Sequence, residues 1–158
     1  MKILRMAHVR LAHLRVAHLR IGLGVLVGAY GLSNLAPIGS NALYKAGGLR
    51  NPPADLARMV PLWEATPWWQ LAVWTGIVAL LLVVAWRLIR GRTALGLYVL
   101  GLLAQTAFWW VMHAGAAYQQ AFTPAELQMD YDMLLAIALV GVLIWWTERR
   151  PLGETASA

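Results

Sequence analysis

Gln105, Trp109 and His113 recur at i, i+4 and i+8 in a stretch free of formal charge. That spacing sets an amide, an indole and an imidazole on one face of a helix. Thr106, Trp110 and Tyr118 flank them. Such a stripe offers donors, acceptors and flat rings, but neither a nucleophile nor paired carboxylates. It suits the binding of a quinone head, another flat lipophile or a small neutral solute. Tyr30 and Asn34 share a face of an earlier apolar segment, and polar groups in such segments usually point into a bundle or a cavity. The five residues Tyr30, Asn34, Gln105, Trp109 and His113 therefore form a candidate ligand site. The competing reading is plain interhelical hydrogen bonding, with Gln105 held by Asn34 or Ser33 and His113 by a carboxylate.

His113, Asp130 and Asp132 form a candidate proton or ion-pair group. A carboxylate beside the imidazole would orient it or relay a proton. The two aspartates also suit a helix N-terminus, where the helix dipole favours negative charge.

Other chemistry finds little support. The chain has no cysteine, which excludes disulfides, thiol catalysis and cysteine-based metal or cluster ligation. No catalytic residue and no metal site is expected, nor a cofactor, quinone being the one that fits. Bis-histidine haem ligation is disfavoured, because His113 alone lies near an apolar segment and His18 falls at the opposite end. His8, His13 and His18 belong to the repeat LRMAH, VRLAH, LRVAH. Five residues advance a helix by about 140°, so these histidines share no face. An enzyme acting on its own is not the expectation.

The elements that must position these residues follow from charge. No Asp, Glu, Lys or Arg occurs over residues 21–44, 65–86, 93–125 or 133–147. A bilayer core takes roughly 20 apolar residues as a helix. With 60% hydrophobic and 13% charged residues, the chain reads as all-α: a polytopic four-helix membrane bundle. Its direct partner is the lipid bilayer.

The net charge of +6 is a matter of topology. Lys2, Arg5, Arg10, Arg15, Arg20, Arg87, Arg90, Arg92, Arg149 and Arg150 fall on one side of the expected membrane, and most acids on the other. The positive-inside rule then places both termini in the cytoplasm of a bacterial-type inner membrane. Nucleic-acid binding is not expected.

Residues 1–18 read as a basic cytoplasmic extension, 19–150 as the four-helix transmembrane domain and 151–158 as a cytoplasmic tail. The first helix is expected, uncleaved, over about 19–36, ending near Pro37. Helices two, three and four are expected over about 68–89, 93–120 and 129–148. Leu56, Met59, Val60 and Trp63 fit a short amphipathic helix on the outer surface. Gly24, Gly28 and Gly31 suit close helix packing, inside the bundle or across a homodimer.

The pattern Arg20-xxx-Gly24 followed by Gly31-xx-Asn34 resembles the opening of DoxX-like proteins. Those place glycines four and eleven residues after an Arg, and often a Lys at fourteen, where this chain has Asn34. The resemblance implies a four-span fold. Some members are subunits of membrane oxidoreductases that pass electrons to quinone. Two roles follow as expectations: an accessory or assembly subunit of a membrane complex, or a quinone- or lipophile-binding redox subunit. A small-solute transporter or channel is the third.

Overall fold

A computed structural model of the chain describes residues 2–149, with side chains from Leu14 onward except that of Asp55. The tail expected over 151–158 lies outside the described residues. These form helices α1 (Lys2–Ser33), α2 (Leu35–Lys45), α3 (Ala54–Ala57), α4 (Val60–Ala65), α5 (Trp68–Ile89), α6 (Leu95–His113), α7 (Ala116–Ala121) and α8 (Pro124–Arg149). Four stretches are long and apolar enough to cross a membrane: Leu14–Lys45, α5, α6 and α8. The protein is a multi-pass α-helical membrane protein.

The first span departs from expectation. It runs past Pro37 to Lys45, bending at Asn34 between α1 and α2. Pro37 falls in the first turn of α2, where a missing N–H costs little. The bend leaves the Tyr30 carbonyl to side chains: Ser33 Oγ and Asn34 Nδ2 each donate to it at 2.8 Å. The basic stretch expected as a separate extension is helical from Lys2 and continuous with this span.

The single amphipathic helix expected in this connection is instead two short helices, α3 and α4. Pro61 explains the break, since its ring would clash with the Ala57 carbonyl in a continuous helix. Leu62 and Trp63 are buried on α4, with Trp63 against Tyr44 at 5.4 Å. The third span stops at His113, not near residue 120. Gly115 is extended at φ −79° and ψ 131°, as suits a residue with weak helix preference. The fourth span starts earlier than expected, at Pro124. Thr123 and Glu126 form a capping box: the Thr123 N–H donates to Glu126 Oε2 at 2.8 Å, and the Glu126 N–H to Thr123 Oγ1 at 3.3 Å.

Small residues let α1 lie directly on α5. A Cβ on Gly24 would stand 2.9 Å from the Ala85 carbonyl oxygen, and one on Gly28 3.4 Å from the Ala85 Cβ. Gly31 faces Leu82. These glycines are covered from within the chain. Leu23 and Val27 of α1, Leu81, Val84 and Leu88 of α5, and Tyr98 of α6 fill the core. The α5–α6 turn closes on Gly91 at φ +67°, with the Arg92 N–H bonded to Arg87 O at 2.8 Å and the Gly91 N–H to Leu88 O at 3.0 Å. Glycine meets that left-handed backbone without a Cβ clash.

A charged knot ties this end of the bundle. Glu148 Oε1 accepts from the Ala94 and Leu95 N–H groups at 2.6 and 3.1 Å, capping α6 from the far end of α8. Arg20 donates to the Gly91 carbonyl at 3.2 Å and lies 3.7 Å from the same Glu148 oxygen. Arg20 is 5% exposed, so it is a buried structural cation as well as one of the basic residues gathered at this end.

Candidate functional site

At the other end, the bend in the first span, α5, α6, α7 and the start of α8 enclose a cavity of about 280 Å³. Four of the five candidate ligand-site residues line it: Tyr30, Asn34, Gln105 and Trp109. His113, one turn beyond Trp109, stacks on that indole with ring centroids 4.0 Å apart.

The polar groups of this cavity divide into spent and unspent. Asn34 is spent: its amide donates to the Tyr30 carbonyl, and its Oδ1 accepts from Trp74 Nε1 at 3.1 Å. Ser33 also turns to Tyr30. The bend thus absorbs both partners expected for Gln105. Gln105 Oε1, Trp109 Nε1 and His113 Nδ1 are buried with no hydrogen-bond partner among the described residues. Gln105 and Trp109 are 9% and 8% exposed. Leaving a buried donor or acceptor unpaired costs about 1–3 kcal/mol, so consecutive turns of one helix face hold unmet hydrogen-bonding capacity.

Asp130 reaches the cavity wall but does not pair with His113. It accepts the Tyr118 hydroxyl at 2.6 Å. Asp132 accepts from Gln128 at 3.3 Å. Among the described residues, His113 bonds neither carboxylate; α7, folding back after Gly115, puts Tyr118 between. Burial first, then the hydrogen bond to Asp130, pushes the Tyr118 phenol above its ordinary value. It therefore stays a donor, and the wall keeps a carboxylate braced by a neutral hydroxyl. His113 instead sits in an aromatic cage, 4.9 Å from Tyr118 and 5.5 Å from Tyr131.

The sequence reading missed Trp74, Phe108 and three methionines of the wall, Met112, Met129 and Met133. Trp74 carried one signal: it is an indole well inside an apolar span, away from the interface positions that tryptophan favours. The methionines gave none, although their flexible thioethers suit an adaptable binding wall. Beyond the cavity, Arg58 and Glu126 form a two-pronged pair at 3.0 and 2.6 Å. That hydrogen bonding raises the Arg58 pKa. Among the described residues, no cluster of three His, Cys, Asp or Glu could hold a metal ion.

The fold and cavity define a four-span helical membrane protein with a partly polar chamber toward one end. No family model, curated protein or solved structure matches the chain.

Proposed function

We propose that this protein holds a small, flat, oxygen-bearing lipophile of the quinone class in the cavity beside Gln105 and Trp109. One observation carries the reading: the unpaired Gln105 carbonyl and Trp109 indole N–H on a single wall of a cavity of about 280 Å³. An indole N–H donates to a quinone carbonyl. A primary amide can accept from a quinol hydroxyl or donate to a carbonyl. Trp74 and Phe108, 5.7 Å apart, offer aromatic surface to a ring. The DoxX-like pattern around Arg20, Gly24 and Gly31 adds support, while Asn34 stands where those proteins often carry Lys. The side holding Arg20, Arg87, Arg90 and Arg92 faces the cytoplasm of an inner membrane in this proposal, and the cavity lies in the opposite leaflet.

Gentle purification, solvent extraction and mass spectrometry of the retained lipids test this. The wild type yields a bound quinone or related lipophile, and the Gln105→Leu/His113→Leu double variant loses most of it. Unchanged retention in a folded double variant rules the cavity out.

The second reading, an accessory subunit of a larger membrane complex, is favoured by α8. Its most apolar window is only 11% buried, against 28–33% for the other spans. The two readings are compatible, since a ligand-holding subunit can serve a complex. Co-purification of a stoichiometric membrane partner in mild detergent supports it, and a partner-free monomer that binds ligand alone counts against it.

A further inference from the structure

Deeper between α1, α6 and α8 lies a second cavity of about 290 Å³. Its walls are almost wholly apolar, including Val27, Leu81, Ala136, Ile137 and Val140. Of the two tyrosines on these walls, Tyr30 and Tyr98, the deeper one has its hydroxyl used up: Tyr98 donates to the Ile137 carbonyl at 2.6 Å. Tyr30 and Met133 belong to the walls of both cavities. The depth order agrees on the two flanking helices. Val27, Tyr30 and Asn34 follow one another along the first span, and Val140, Met133 and Asp130 along α8. The polar chamber and the apolar slot are therefore stacked end to end. At 1.5 Å per residue, Met133 to Val140 adds about 10 Å of depth. Leu26, also on the slot wall, is 60% exposed, so the slot opens sideways between α1 and α8 toward the bilayer.

From this adjacency we infer that the slot holds the hydrocarbon chain of the molecule whose head occupies the polar chamber. The ligand class is then a single-chain amphiphile: a flat head with oxygen functions on one apolar tail. The inference rests on the head-site reading above. A lone polar head needs no apolar extension, whereas a tailed molecule entering from the bilayer would otherwise leave its chain among crowded helices. The two cavities together fall within the size range of small-molecule sites, roughly 300–1,000 Å³.

The test uses the full chain in lipid nanodiscs and two probes, a tail-less methoxylated benzoquinone and the same ring bearing a decyl chain. Quenching of intrinsic tryptophan fluorescence reads binding. The wild type binds the decyl probe at least about tenfold tighter, because its methylenes leave water for bilayer and slot together. Ala136→Phe and Val140→Phe, each filling the slot, cut that advantage severalfold and leave the tail-less probe unaffected. Partitioning into the bilayer is common to wild type and variants, so the variants isolate the slot. Gln105→Leu weakens both probes by a similar factor. If both slot-filling variants keep the full advantage, the slot only seats bilayer acyl chains and this inference falls while the head site stands. If neither probe binds the wild type, the head-site reading falls and takes this inference with it.

Discussion

Arg20 and Glu148, near opposite ends of the described chain, meet 3.7 Å apart with side chains only 6% and 13% exposed. Their contact joins the first span, the α5–α6 turn, the start of α6 and the end of α8. Breaking one half of a dry ion pair strands the other charge, at a cost of about 3–5 kcal/mol. Arg20→Leu is therefore expected to lower the thermal midpoint in detergent substantially. Glu148→Gln should cost less, because the amide oxygen can still cap Ala94 and Leu95. An Arg20→Leu/Glu148→Gln double variant should recover part of the loss. A neutral Arg20→Leu would show that the pair contributes nothing.

The α1–α5 seam makes a graded prediction. Gly24→Ala puts a Cβ 2.9 Å from a backbone oxygen and 2.8 Å from Ile89 Cγ1. Backbone cannot swing aside, so overpacking of about 1–3 kcal/mol is expected. Gly28→Ala meets only a methyl at 3.4 Å. It should be close to neutral, since the gain in helix preference, roughly 1 kcal/mol, offsets the contact. Thermal melts of the two variants check the order. Equal effects would mean that α1 and α5 are not in this register.

The spans were legible in the sequence because lipid punishes charge over a fixed length, and that rule needs no knowledge of packing. The face shared by Gln105 and Trp109 was legible for a similar reason: helical period alone sets it. Asn34 was harder. Its type marked a polar spot, but Pro37 suggested a helix end, and only the side-chain bonds to the Tyr30 carbonyl explain how the span continues. Trp74, Met129 and Met133 were illegible because the turn of α5 and α8 toward the cavity depends on all the other helices. Arg20 and Glu148 were hidden by distance along the chain; each alone looks like a boundary charge.

The Tyr118–Asp130 pair predicts alkaline behaviour. The folded-state pKa of Tyr118 is raised by burial, and by Asp130 as hydrogen-bond acceptor. Its contribution to stability is full below the unfolded value, about 10, and is lost as pH rises through the folded one. A difference titration of tyrosinate absorbance, wild type minus Tyr118→Phe, should show no Tyr118 ionisation near pH 10 while the protein stays folded. Asp130→Asn removes the charge and should bring that ionisation down toward the ordinary range. Normal titration of Tyr118 in the wild type would mean that the phenol is wet and the pair unformed.

Asn34 joins the bend to the cavity, and its replacement separates two roles. Asn34→Leu removes the acceptor of the Trp74 indole N–H, held at 3.1 Å, and one of two side-chain donors to the Tyr30 carbonyl. Ser33 still serves that carbonyl, so the bend should survive. The stranded indole is the main loss, about 1 kcal/mol, the low end for a donor left without a partner, because Trp74 is only half-buried. Trp74 also forms part of the cavity wall, so its ring is expected to reorient and ligand retention to fall. Asn34→Asp keeps an acceptor for the indole but gives up the amide donor. If the indole bond is what matters, Asp should preserve the Trp74 emission maximum better than Leu does. The comparison is clearest where Trp68, Trp69 and the other indoles are replaced by Phe and Trp74 is left to report. Identical emission and ligand retention for the two variants would place the importance of Asn34 in the Tyr30 carbonyl, and the wall geometry in the bend itself.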